Sequence, residues 1–457
     1  MQKSLEQQLS AWETPAKMLQ NSPYGMGFEF PVQRQWTNII DEMQSWRTTA
    51  TLFDQSRHMM ELRVTGPDLR RLLNRLAVNN FETFGRDQAK QIVCVNERGY
   101  LISDAIIFGL EDDEALIVGR PCVSMWVNFH AETGGYDVTC RRDLPGWEDI
   151  RNPRTHFRFE VQGPNALDIL NAVNEGGPLT TKFFAMGYIT IAGVACRTLC
   201  HSMGGTKGLE LWGPMKDKQQ VEDALVEAGQ AFGMRRGGGR TYGSTAGESG
   251  WFAAPLPAIY TDDDMKAYRE WLPALSFEGM ASVGGSFQPA DVREYYLTPF
   301  ELGYDRVIRF DHDFVGRQAL ERMKDQPHRR KVIYKWSKEG VLQVFAGLME
   351  HGTMPMFLDI PSSEYAWHPY DRVERNGRLV GLSGYPLYSA NERAWLSVGI
   401  IEPGLAEPGN RATLVWGEPD GGTQKPSVHR HRQVAIEVEV CAWPIETDVR
   451  RNYRRQV

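Results

Sequence analysis

The side chains of this chain best suited to chemistry are Tyr242, Arg120, Glu210 and His58. Tyr242 lies in the glycine-rich stretch RRGGGRTYGSTAGESG (235–250). A phenol with an unperturbed pKa of about 10 can pass a proton to an oxygen of similar basicity, or it can simply tether two domains. Arg120 follows the apolar run ALIV, and its planar fork can pair both oxygens of a carboxylate; a strand-end salt bridge is the other reading. Glu210, within GLELWGP (208–214), can accept paired N–H bonds, although a strand glutamate is more often exposed. His58, in FDQSRHMM (53–60), fits either a hydrogen-bonding role in a pocket or a satisfied place in a core.

These residues need a scaffold, and the chain predicts one in three parts. ELRVTGPDLRRLL (61–73) and RFEVQGPNALDIL (158–170) echo each other. In each, alternating apolar residues (Leu62 and Val64; Phe159 and Val161) end at Gly-Pro, and Asp68 or Asn165 then stands where a helix N-cap belongs. Two α+β units of similar design follow. From about Lys331 the pattern changes to short alternating runs (KVIYKW, RLVGLSGY, WLSVGII, ATLVWG, VAIEVEV) between NG, EPG and DGG turns, which predicts an all-β domain. The charged segment ERMKDQPHRR (321–330) reads as the linker before it, and residues 235–250 as a functional loop between domains. In Pro299 to Leu320, Leu302, Tyr304, Val307 and Phe310 suggest a strand, Asp311 to Asp313 a polar turn, and Gly316 a helix start.

Composition narrows the function. The chain has 457 residues, 42% hydrophobic and 24% charged, which suits an ordinary soluble protein of two to four domains. A net charge of −7 provides no electrostatic footprint for nucleic acid. No run reaches the roughly 18 apolar residues of a membrane helix, and MQKSLEQQLSAW lacks a secretory pattern, so a cytoplasmic protein is expected. The six cysteines include no C-x-x-C pair, which argues against a disulfide framework or zinc site; Cys196 and Cys200 are expected on one face of a strand. GGGRTYG lacks the preceding strand and downstream acid of a dinucleotide site, and in SMGGTKGLELWGP Lys207 is followed by Gly208, not by Ser or Thr. His429 and His431 alternate with arginines as on the wet face of a strand, and Met59-Met60 reads as core filling.

PFELGYDRVIRFDHDFVGRQAL (299–320) closely resembles a signature of the aminomethyltransferases, the folate-binding T-proteins of glycine cleavage and their relatives. YLISDAIIF (100–108) resembles the strand that carries that family's functional aspartate and implies this role for Asp104. GLELWGP resembles the segment whose glutamate recognises the pterin and implies that role for Glu210. The likeness also implies cofactor contacts at Gln162, Trp251 and Glu248. In RTYGSTAGESGW, however, Tyr242 stands where the aminomethyltransferases have arginine. NSPYGMGFEFPVQ (21–33), FDQSRHMM, VGRPCVSMWVNFHAETGGY (118–136), YTDDDMKAYREWLP (260–273) and VGGSF (283–287) instead closely resemble the tetrahydrofolate-dependent aromatic O-demethylases of vanillate and syringate.

That second resemblance implies a three-domain α+β ring around a central folate site. Its parts would be a folate-binding unit (1–50 and 150–260), a second α+β unit (51–149 and 261–325) and a C-terminal barrel-like β domain (326–457). It implies methyl transfer from a methoxylated aromatic acid to N5 of tetrahydrofolate, without a lipoylated carrier protein, nucleic acid, membrane or metal. Tyr242 would be catalytic, with Arg120, His58, Gln55, Ser286 and Phe30 around the ring. Phe30 stands where vanillate-type enzymes have tyrosine, which points towards less hydroxylated or chlorinated methoxybenzoates such as dicamba. An aminomethyltransferase and a non-catalytic folate-binding protein are the other readings.

Overall fold

Phe157, Phe159 and Val161 alternate with Arg158, Glu160 and Gln162, and the period of a β-strand sends the two sets to opposite faces. In the computed structural model, which describes residues 3–25, 32–144 and 154–452, the apolar set enters a core and the polar set faces the interior of the molecule. This strand, His156–Gln162, is central in a seven-stranded sheet ordered Arg235–Gly237, Thr51–Asp54, His156–Gln162, Gly208–Pro214, Val194–Leu199, Met186–Ile191 and Asn174–Gly176. Only the first pair is parallel. Thr51–Asp54 thus belongs with this sheet, although the sequence reading opens the other unit at residue 51.

A five-stranded antiparallel sheet, in the order Ala89–Val95, Leu101–Glu111, Glu114–Gly119, Met60–Thr65 and Thr139–Asp143, forms the second unit. The two echoed segments do fold alike, each as strand, Gly-Pro turn and helix (Leu69–Leu76; Ala166–Val173). The turns require glycine: at Gly66 (φ +148°) a Cβ would lie 2.3 Å from the Asp137 carbonyl oxygen, and at Gly163 (φ +126°) 2.7 Å from that of Thr49. Asp68 and Asn165 stand at the N-cap positions as expected, but neither side chain makes a capping hydrogen bond. Asp68 pairs with Arg71 and accepts the Asp137 N–H at 2.9 Å, and Asn165 donates to the Phe232 carbonyl at 3.0 Å, because the neighbouring chain offers these groups better partners.

The C-terminal third closes into a six-stranded barrel, Arg330–Trp336, Ala394–Ile401, Arg378–Ser389, Asp371–Arg375, Arg411–Trp416 and Val434–Cys441. It is not all β, since helix Lys338–Gly347, capped by Ser337, packs on it. Three other expectations are corrected. No strand spans 302–310; Asp305–Val307 is a turn of 3-10 helix, and the helix Arg317–Met323 starts after Gly316 as expected. The glycine-rich stretch holds a short strand and two short helices, Gly239–Tyr242 and Thr245–Ser249, because its glycines let the backbone pass close to Phe53, Arg34 and Leu387. His431 is buried, accepting the Glu418 N–H at 2.8 Å, so it lies on no wet face. Cys196 and Cys200 share one core, and Met60 is core while Met59 lines a cavity. Among the described residues no helix is long and apolar enough to cross a membrane.

Glu248 fastens the barrel to the first unit. Its buried carboxylate accepts from Trp46 Nε1 (3.0 Å) and Arg47 Nε (2.9 Å) on helix Ile39–Thr48, and from Ser389 and Asn391 on the barrel side. Removing one partner of such a network leaves a buried guanidinium and an indole N–H uncompensated. Glu248→Ala is therefore expected to cost about 3 kcal/mol or more, seen as a lowered Tm in thermal denaturation. An unchanged Tm would show that the barrel is held elsewhere.

Candidate active site

Glu160 and Glu210 are in register on adjacent strands, two buried carboxylates side by side, and the site is organised around them. Like charges this close cannot both ionise cheaply. Burial opposes ionisation of Glu210, but His201 Nδ1 at 2.6 Å, with Arg158 and His58 beyond, holds its pKa below the usual range. Glu160 goes the other way: burial, then the charge of Glu210, pushes its pKa well up. Glu210 is thus the ionised partner.

Glu210 opens onto a cavity of about 1230 Å³ that runs between the two sheets and reaches the barrel. Its walls include Gln55, His58, Asp104, Arg120, Tyr242 and Trp251. A second, largely apolar chamber of about 140 Å³ adjoins it and shares His58, Arg120, Tyr242 and Trp251, with Phe252, Phe277, Trp367 and Leu387 as further walls. That is close to the roughly 150 Å³ of an apolar cavity that holds benzene. None of the six cysteines lines either cavity, and burial pushes the Cys200 thiol up to about 11 and that of Cys196 to about 12.

Tyr242 stands on the common wall. Its hydroxyl lies 3.0 Å from His58 Nε2, and Gln55 Nε2 donates to it at 3.2 Å. His58 Nδ1 faces the Gln55 carbonyl oxygen at 2.9 Å, so this nitrogen carries the ring proton and Nε2 accepts the Tyr242 O–H. Burial lowers the His58 pKa to about 4, and burial with the nearby Glu160 and Glu210 raises that of Tyr242 well above a free phenol's. Both groups are neutral at pH 7. Gln55 and His58 therefore hold Tyr242, a task the sequence reading did not assign to them.

Arg120 caps helix Pro121–Thr133 and lines both cavities. Its Nη1 is buried without a hydrogen-bond partner, and no acid pairs with it among the described residues, so the strand-end salt bridge does not form. Asp104 accepts from Gln91 Nε2 at 2.8 Å, and burial raises its pKa against the opposing effects of Gln91, Lys331, Tyr304 and Trp251.

Three expected site residues are elsewhere. Ser286 is buried between the Asp371 carboxylate and the Arg372 N–H, Glu248 is the barrel brace, and Gln162 accepts the Gly204 N–H at 2.9 Å beneath the 202–206 turn. None lines a cavity, because each is consumed by backbone or interdomain bonds. Phe30 lies outside the described residues. Sequence reasoning missed Arg158 and Glu160, which the alternation of RFEVQ could have placed on the polar face. It also missed Lys331, whose ammonium sits 3.7 Å from the centre of the Trp443 ring, and Tyr385; no local signal marks either.

A family model described as the GCVT N-terminal domain matches residues 7–255, more than half of the chain. The chain belongs to this family. It is 39% identical over 453 residues, 99% of its length and 98% of the relative's, to a syringate O-demethylase of a Sphingobium species. It is 27% identical over 79% of its length, and 80% of the relative's, to a sesamin methylene transferase of a Sinomonas species. To an aminomethyltransferase of Streptomyces avermitilis it is 28% identical over 64% of its length and 68% of the relative's. The glycine cleavage aminomethyltransferase T of Bartonella henselae shares the fold, with a TM-score of 0.61 at 15% identity over 93% of this chain and 95% of that one. Like these GCVT relatives, the chain is a one-carbon transferase.

The environment of His58 has a pH signature. In the unfolded chain the imidazole takes its proton near pH 6.5, in the folded one only near 4. Its contribution to stability is complete above 6.5, declines as the pH falls towards 4, and changes no further below. His58→Gln should flatten that part of the Tm-against-pH curve, by roughly 3 kcal/mol in all. Parallel curves for the two proteins would contradict the burial argument.

Proposed function

We propose that the chain is a tetrahydrofolate-dependent O-demethylase that moves the methyl of a methoxylated benzoate to the cofactor, leaving a phenol and 5-methyltetrahydrofolate. The observation that carries this reading is the common wall: Tyr242, a protonated phenol, separates a large cavity holding the Glu210 carboxylate from a chamber the size of one aromatic ring, with Arg120, its Nη1 buried without a hydrogen-bond partner, at the edge of both. The syringate O-demethylase relative supports it along nearly the whole chain.

The residues present fit the cofactor. An ionised carboxylate at Glu210 suits the paired N–H donors of an aminopyrimidine edge, and Trp251 and Tyr304 offer ring faces in the same cavity. Bound tetrahydrofolate would supply N5, the nucleophile that accepts the methyl. Arg120 would pair the carboxylate of the benzoate and hold its ring in the apolar chamber, which supplies much of the rate through orientation. Tyr242 would turn its O–H from His58 Nε2 to the departing phenolate oxygen, give up that proton, and take back the proton displaced from N5, so that it ends as it began. Its raised pKa keeps the proton in place beforehand, and the same burial makes a phenolate formed beside it more basic, which preserves the match between donor and acceptor.

Incubation with tetrahydrofolate and a panel of vanillate, syringate, anisates and dicamba, with both products followed by mass spectrometry, tests this reading. Equimolar 5-methyltetrahydrofolate and phenolic acid are expected from at least one substrate, and none from any would reject it. Tyr242→Phe should lower kcat by about 10²- to 10⁴-fold with KM nearly unchanged. Arg120→Ala should raise KM for the benzoate by about 30-fold or more, as expected for truncating a buried charge pair. An unaltered KM would remove Arg120 from substrate binding.

A further inference from the structure

Glu160 lines neither cavity and is wholly buried, yet it is one hydrogen bond from the group that holds Tyr242. Both its oxygens are used as acceptors: Oε1 takes the Met203 N–H at 2.9 Å, and Oε2 takes a Gln55 Nε2 proton. The second proton of the same amide goes to the Tyr242 oxygen. The Gln55 amide is therefore turned nitrogen-first towards both, and with that oxygen receiving a bond, the Tyr242 O–H is directed to His58. A rotated amide would offer Tyr242 an acceptor and draw its proton away.

We propose that Glu160 is a positioning residue, which sets the orientation of the Gln55 amide and through it the direction of the Tyr242 O–H, and that a ligand engaging Glu210 tightens this hold. The second half follows from the register of the two carboxylates. N–H donors placed on Glu210 would offset its charge and lessen its repulsion of Glu160. A proton on Glu160 has no acceptor among the described residues, both oxygens already receiving N–H donors, so once that repulsion is lessened the proton is given up more readily and the carboxylate accepts more strongly from Gln55 and Met203. The groups around it are Glu210 from strand Gly208–Pro214, Arg158 on its own strand, Tyr242 from helix Gly239–Tyr242, His58 from the turn after Thr51–Asp54, and His201 acting through Glu210. The idea rests on the O-demethylase reading for its purpose, but its main test does not use turnover.

The test labels tyrosine with ¹³C at Cζ and identifies the Tyr242 resonance with Tyr242→Phe. Glu160→Gln cannot accept from both donors, since one of its two ends is itself a donor, so the resonance should move in this variant without any ligand. Adding tetrahydrofolate to saturation should shift the resonance in the wild type and not in the variant. A resonance that stays put in the variant, or fails to respond to tetrahydrofolate in the wild type, overturns the corresponding half of the proposal. The exchange Gln55→Glu with Glu160→Gln restores a hydrogen bond between the two positions but presents only acceptors to Tyr242. Its Tm should recover towards the wild type while kcat stays down by about tenfold or more. Recovery of kcat together with Tm would mean that Glu160 is merely structural. Absence of turnover in the wild type would reject the O-demethylase reading alone, with the resonance measurements still deciding on Glu160.

Discussion

Arg158 lies between the seven-stranded and the five-stranded sheet, its guanidinium 4.7 Å from the Trp212 ring centre and 5.0 Å from that of Phe108. Its charge is met by Glu61 on the five-stranded sheet at 3.4 Å and by Glu210 on the seven-stranded sheet at 4.0 Å. Arg154, also buried, reaches Glu61 at 3.6 Å and Asp143 at 3.3 Å. Charges taken out of water must be answered inside the protein, and here the answers come from both sheets at once. This ionic seam lies beside an apolar cluster in which Phe108 of the five-stranded sheet meets Trp212 of the seven-stranded sheet edge-on, 4.8 Å between ring centres, so the two faces are joined here and part where the cavity opens. The cavity opens beside this seam, with the ionised Glu210 on its wall and Glu160, its pKa raised by burial and by Glu210, behind it.

The two chambers differ as the parity of the strands predicts. Glu210 on Gly208–Pro214 and Arg158 on His156–Gln162 line the large one, with Glu160 and Gln162 behind them, whereas the small one is walled mainly by aromatic and aliphatic groups from turns and from the barrel. Where they meet, the hydroxyl of Tyr242 is supported by two groups, each fixed by a backbone or carboxylate contact of its own. Such support is what keeps a proton on a defined side of an oxygen.

Much of this was legible in the chain. The paired Gly-Pro echoes mark two related units because a positive φ and a close backbone approach leave no alternative to glycine, and the alternating runs after Lys331 mark the barrel because each has the period of a strand. Tyr242, Arg120, Glu210 and Asp104, read in the chain as site residues, all line one cavity. Ser286, Gln162 and Glu248 do not, and the reason is general. A polar residue in a conserved-looking string can serve the backbone or an interdomain joint as well as a ligand, and only the position of its neighbours distinguishes the two. The apparent strand at 302–310 failed for a related cause: Gly303, at φ +73°, turns the chain, and the apolar residues reach the core from a coil.

The GCVT match ends at residue 255, yet the small chamber does not. Gln55, His58, Glu160, Glu210 and Tyr242 fall within the matched part, while Phe277, Trp367, Tyr385, Leu387 and Val398 come from beyond it, much of it barrel. On the O-demethylase reading, the molecule separates the groups that would handle protons from many of the surfaces that would meet the aromatic ring. Selection can reshape the second set through the barrel while the first is left untouched. Lineages of this architecture can diversify in diet, trading one aromatic compound for another, without reinventing their chemistry.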